Sequence, residues 1–124
     1  MEVPLHVKGK KTKTIGNDDT ALAHGSGNLN VFATPAMIAL MENAAWESVS
    51  RILPEGFTTV GTEISVKHIK ATPVGGNAEA RSELLASDGK KLVFSLEAFD
   101  EEGKIGLGTH TRYIVEEKKF LSSV

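Results

Sequence analysis

The sequence predicts an α+β fold in which one long helix is wrapped by a curved antiparallel sheet of about five strands. Three observations predict it. The stretch from Thr34 to about Leu53 is apolar at helical spacing, the chain after Gly56 alternates with a period of two, and short glycine-containing links separate the alternating runs. With 124 residues, 40% of them hydrophobic, the chain matches one domain over residues 1–124 that can bury its own core.

Residues 5 to 16 supply a first strand, and its Lys8, Lys10, Lys11 and Lys13 are read as a solvated strand face. Asn17 to Asn30, rich in Gly, Asp and Asn, is an irregular crossing segment. The helix opens at Thr34-Pro35. Thr is a good N-cap, and Pro suits the first turn because its missing N–H has no intrahelical partner anyway. Pro54-Glu55-Gly56 stops the helix, since Pro cannot continue the ladder and Gly is free to turn left-handed. Val60, Thr62, Ile64 and Val66 then alternate with Gly61, Glu63, Ser65 and Lys67, and the style continues through Ala78, Ala80 and Leu84 and through Leu92, Phe94, Leu96 and Ala98. Ser87-Asp88-Gly89-Lys90 and Asp100 to Lys104 suit antiparallel hairpins, so a meander is expected. Such a sheet leaves its end strands bare, and pairing into a homodimer is one way to cover them.

Composition excludes several functions. Fourteen Lys and Arg against sixteen Asp and Glu give a net charge of -2, so nucleic acid is not an expected partner. The absence of cysteine excludes a disulfide framework, a thiolate nucleophile and Cys-ligated zinc, and makes cytoplasmic residence the default. Met1 to Val7 lacks the pattern of a secretory leader, no later stretch approaches the roughly 20 apolar residues of a span, and no membrane association is expected. His6, His24 and His110 lie apart from one another and from any paired acidic spacing, which argues against a metal site. Gly106-Leu107-Gly108 falls within a strand, where it suggests a bulge or close packing and not a phosphate loop.

Three polar residues are out of place. With Met37 at zero and about 100° per residue, Ile38, Val49, Leu53 and Trp46 fall at about 100° to 180°, and Glu42 falls among them at about 140°. A carboxylate in an apolar stripe must be paired, shifted in pKa or placed at a ligand cavity, unless it borders the stripe and reaches water. His68 shares parity with Val60, Ile64 and Val66 and so continues an inward strand face, where a hydrogen-bonded core histidine is the simpler alternative to a catalytic one. Thr34 adds a hydroxyl, with the cap as its structural role, at a helix start whose free N–H groups can hold an oxyanion. Together they offer a water activator or nucleophile, an acid or base, and an orienting hydroxyl. Arg112, by spacing alone, is a surface cation on an edge strand.

The segments VFATPAMIALMENAAW (Val31 to Trp46), TVGTEISVKHIKATPVG (Thr59 to Gly75) and IGLGTHTRYIV (Ile105 to Val115) resemble the hot-dog-fold thioesterases related to fluoroacetyl-CoA thioesterase. The resemblance implies a hot-dog homodimer with two active sites at the subunit interface and CoA lying along a surface groove. It also implies that Thr34, Glu42 and His68 are the catalytic residues, that Gly61 lines the same site, and that Arg112 contacts the acyl group or CoA. The implied activity is hydrolysis of a short or medium acyl-CoA, with no cofactor beyond the CoA of the substrate. A non-catalytic acyl-CoA binding module and a hot-dog enoyl-CoA hydratase are the alternatives. The sequence departs from the fluoroacetate enzyme at Gly25 to Asn30, which lacks the aromatic gate residues of that enzyme, and at Pro35, where that enzyme has Gly.

Overall fold

The computed structural model describes residues Met1–Val124. The period-two runs form β2 (Phe57–His68), β3 (Asn77–Ser87), β4 (Lys91–Asp100) and β5 (Gly103–Glu116), and the lysine-rich segment forms β1 (Lys8–Thr14). They join in one antiparallel sheet of order β1-β3-β4-β5-β2. The two short links close the β3–β4 and β4–β5 hairpins as expected, while β2 crosses over to pair with β5 instead of β3. β1 and β2 are therefore the edges, and β5 lies inside the sheet. The crossing segment contains a 3-10 turn at Asn17–Asp19 and α1 (Ala21–His24), whose cap is Thr20 accepting from the Ala23 N–H at 3.1 Å. A terminal helix, α3 (Glu117–Ser122), follows β5.

The long helix, α2 (Thr34–Ser50), lies on the inner face of the sheet. Its Met37, Met41, Ala44, Ala45 and Val49 are completely buried against Ala80, Leu84, Leu92, Phe94, Ala98 and Ile105. Each large side chain buried there contributes on the order of 1.5–3 kcal/mol. Small residues set the approach. A Cβ on Gly9 of β1 would collide with the Ala44 carbonyl and come within 2.6 Å of Ser82 Oγ, so glycine lets strand and helix touch.

Several expectations are corrected. Thr34 is the first helical residue and not the N-cap; Ala33 takes that place without a side-chain bond, which releases the Thr34 hydroxyl. The helix ends at Ser50 rather than Leu53, ahead of the Pro54 stop. Its buried arc centres on Met37, Met41 and Ala44, because the alanines pack closest, and this moves Glu42 and Trp46 to the half-exposed margin. β2 carries a bulge between Gly61 and Glu63, so the inward set runs Thr59, Gly61, then Ile64, Val66, His68. Val60 is thereby turned off the inward face that simple alternation assigned to it. Arg112 is 7% exposed on an interior strand, not a surface cation on an edge.

Candidate active site

The predicted site residues gather in two clusters, one at the start of α2 and one two turns further on. At the first, Thr34 Oγ1 and His68 Nδ1 share a 2.8 Å hydrogen bond between the helix start and the end of β2. Phe32 meets the imidazole edge-on with ring centroids 6.5 Å apart, and the buried Nε2 has no hydrogen-bond partner. Burial holds the His68 pKa below its ordinary value, with the Lys70 backbone acting in the opposite direction. At neutral pH the ring is therefore neutral. A cleft of about 360 Å³ opens beside the pair, walled by Ala21, Ser26, Val31, Ile69 and Ala71. The first-turn N–H groups of Thr34 and Ala36 lack intrahelical partners, and Pro35 offers none, so the helix start presents donors at the same place.

The second cluster surrounds Glu42. Its Oε2 lies 3.8 Å from His110 Nε2 and 4.0 Å from Arg112 Nη1. Gly61 stands over the carboxylate, where a Cβ would come within 3.0 Å of Glu42 Oε2, 3.1 Å of His110 Cε1 and 3.3 Å of Arg112 Nη1. Glycine here allows close approach and does not serve a special backbone angle. Arg112 is tied down from β2, its Nε donating to Thr59 Oγ1 at 2.7 Å and its Nη2 to the Thr59 carbonyl at 2.9 Å. Burial lowers the Arg112 pKa and Glu42 opposes the shift, but a guanidinium stays charged at any ordinary pH.

Thr34 and His68 are thus brought together, as are Glu42, Gly61 and Arg112. The chain does not join the two groups. No hydrogen bond or ion pair links Glu42 to Thr34 or His68, and eight helical steps separate Thr34 from Glu42 by about 12 Å along the axis. His110 and Thr59 belong to the second cluster, though the sequence alone marks neither as a site residue. The available signal was the shared parity of His110 and Arg112 on one strand. Of the basic residues beyond the two clusters, Lys70 is held by Asp100 at 2.7 Å and Arg81 by Glu79 at 2.6 Å, whereas Lys67, Lys90 and Lys91 form no ion pair.

The chain is similar to known proteins in sequence and fold. The family described as fluoroacetyl-CoA-specific thioesterase, FlK, matches residues 15–118. A fluoroacetyl-CoA thioesterase of Streptantibioticus cattleyicolor is 37% identical over 94 residues, covering 76% of this chain and 68% of that protein. A crystal structure of a point mutant of the fluoroacetyl-CoA-specific thioesterase FlK superposes with a TM-score of 0.93 at 28% identity, covering all of this chain and 96% of that one. A hot-dog-like protein from Thermanaerovibrio acidaminovorans, 22% identical with a TM-score of 0.87 over 97% of this chain and 89% of its own, shares the fold. The pattern at the helix start, the strand end and the last strand, the helix-in-sheet architecture and these matches agree: the chain belongs to the FlK family of hot-dog-fold thioesterases.

Proposed function

We propose that this protein hydrolyses a short or medium acyl-CoA to the free acid and CoA, as a cytoplasmic homodimer, with Thr34, Glu42 and His68 catalytic and Gly61 and Arg112 lining the acyl end. The observation that carries the reading is the Thr34–His68 pair, whose unpartnered Nε2 is next to an open cleft at a helix N-terminus. In hydrolysis the water oxygen bonds to the thioester carbon, the C–S bond breaks, and a proton must leave water and reach the CoA sulfur. Glu42 either takes the water proton or attacks the carbonyl itself, forming an anhydride that water then opens. His68 Nε2 handles the proton delivered to sulfur, and Thr34 fixes the ring through Nδ1. Helix N–H groups receive the charge on the thioester oxygen. The reaction as written needs no metal or further cofactor.

The separation of the clusters supports the homodimer reading. A carboxylate about 12 Å along the helix from Thr34 does not share one reacting carbon with His68, whereas a second copy can present its Glu42 beside the first copy's His68. The cleft near Ser26, with no aromatic residue between Gly25 and Asn30, favours acyl groups beyond a two-carbon unit. The test is thiol release from an acyl-CoA panel by the wild type and Glu42→Gln. Loss of about 100-fold or more in the variant is expected, and equal rates overturn the role of Glu42. Bleaching of an enoyl-CoA band without thiol release identifies a hydratase instead. Under single turnover in ¹⁸O water, label entering Glu42 marks the anhydride route, with water opening the anhydride at the Glu42 carbonyl.

A further inference from the structure

His110 is a buried imidazole, 2% exposed, that the thioesterase reading does not use. Its surroundings determine its protonation. Nδ1 lies 2.8 Å from the Glu63 carbonyl, which can only accept, so Nδ1 carries the proton. Nε2 lies 3.0 Å from Arg112 Nη1, which can only donate, so Nε2 is bare. The ring is a neutral Nδ1–H tautomer with both nitrogens satisfied. The same contact supplies the third hydrogen bond on Arg112, after the two to Thr59, and it acts on the nitrogen that faces Glu42.

We infer that His110 is a positioning residue for the hydrolysis: its bare Nε2 locks the Arg112 guanidinium in place against the Glu42 carboxylate. The inference rests on the assignment of Glu42 and Arg112 to the active site. Without the Nε2 acceptor, Arg112 Nη1 can swing to Glu42 and close a direct ion pair, which ties up the carboxylate the reaction needs. A second consequence concerns acid. Protonated, Nε2 becomes a donor facing a cation, the contact with Arg112 breaks, and Glu42 Oε2 at 3.8 Å becomes the new partner. The groups facing His110 are Glu42 from α2, Arg112 on its own strand, the Phe94 ring of β4 with centroids 6.3 Å apart, and the Glu63 carbonyl of β2. Burial and Arg112 lower the His110 pKa while Glu63 and Glu42 oppose, so the neutral state persists through neutral pH.

Two substitutions separate the two nitrogens. In His110→Gln the side-chain oxygen reaches toward the Nε2 position and can accept from Arg112, whereas in His110→Asn the amide reaches only the Nδ1 position and can serve Glu63 alone. Expected is a kcat for His110→Gln within about threefold of wild type and for His110→Asn about tenfold lower, the scale of a lost positioning contact, with KM little changed. In an Arg112→Gln background, His110→Asn should cost nothing more, because its effect passes through Arg112. Equal losses in both variants, or a full multiplicative loss in the Arg112→Gln background, overturn the proposal. Nitrogen NMR of the imidazole provides a readout independent of turnover. A neutral Nδ1–H tautomer that changes in Arg112→Gln is expected, and an Nε2–H or doubly protonated ring at neutral pH refutes the positioning role even if thiol release is fast. Failure of the wild type to release thiol would instead remove the thioesterase reading and leave the NMR result standing.

Discussion

At the residue scale, the site depends on which atoms are left free. The Thr34 hydroxyl is free for His68 because the N-cap position falls on Ala33, and Nε2 of His68 is buried without a hydrogen-bond partner. Thr34→Val removes the Nδ1 partner while keeping the shape, and kcat is expected to fall by at least about tenfold with a near-normal melting temperature. Steady-state kinetics beside a thermal melt separates the two effects. Gly61→Ala tests the second cluster. Its Cβ would press on Glu42 Oε2 at 3.0 Å, and the backbone there is not left-handed, so the fold should survive while the carboxylate is displaced. The contact calls for a shift of a few tenths of an ångström, short of the roughly 1 Å misplacement that costs about 100-fold, so a kcat loss of about threefold to tenfold is expected. Unaltered kcat in Gly61→Ala would show that Glu42 does not work in this rotamer. Of these features only the residue types and their rough faces were legible in the sequence: a hydroxyl and an imidazole distant in the chain meet through the sheet, and no local pattern records that.

At the element scale, a buried turn network supports the end of β2. Asp100, at the end of β4, accepts at Oδ2 from Lys70 Nζ at 2.7 Å and Thr72 Oγ1 at 2.8 Å, and at Oδ1 from the Glu102 N–H at 2.8 Å. Burial alone would raise its pKa, but these hydrogen bonds outweigh it and leave the carboxyl below its ordinary value. The Thr72 carbonyl in turn accepts from the Phe32 N–H at 2.8 Å, linking the turn to the segment that leads into α2. Asp100→Asn keeps the volume and discards the charge. A fall in melting temperature of about 5 °C is expected, and an unchanged melt would show that the network is dispensable. The helix, the hairpins and the α+β class were legible because period and turn chemistry are local properties. The bulge was not: nothing in Gly61-Thr62-Glu63 announces an extra residue, yet it exchanges the faces of β2 and brings Gly61 over Glu42. The same local reading placed Arg112 on an edge, since strand order depends on a crossover that pairs β2 with β5.

At the scale of the whole molecule, two histidines link stability to pH. His68 and His110 both have folded pKa values below the ordinary 6.5, in each case chiefly through burial. Between the lowered folded values and 6.5 the unfolded chain binds more protons, so stability is full above about 6.5, declines as pH falls below it, and stops declining beneath the folded values. The melting temperature is expected to fall on that acidic limb, and His110→Gln should flatten part of it. A limb of equal steepness in that variant would assign the effect to other groups. Assembly gives the remaining prediction. In a mixed dimer of Glu42→Gln and His68→Ala chains, a site shared between subunits leaves one intact pairing, whereas a site within each chain leaves none. Thiol release is expected on mixing under conditions that exchange subunits, and its absence would place each site inside one chain.

The sequence by itself determined the classes of chemistry open to this protein. With no cysteine a thiolate nucleophile is excluded, and a near-neutral chain of 124 residues with one apolar helical stretch and several alternating runs reads as a small α+β domain in which Thr34, Glu42 and His68 are anomalous. Only the tertiary structure decided how those anomalies combine. Hydrogen bonds between Thr34 and His68, and between Arg112 and both Thr59 and His110, join residues on different elements or across a pleat. Their existence depends on strand order, on one bulge and on the depth to which small residues let α2 settle. These are properties of packing, in which Thr34 meets His68 and Thr59 meets Arg112 across long stretches of chain, and a reading confined to local period and spacing does not contain them.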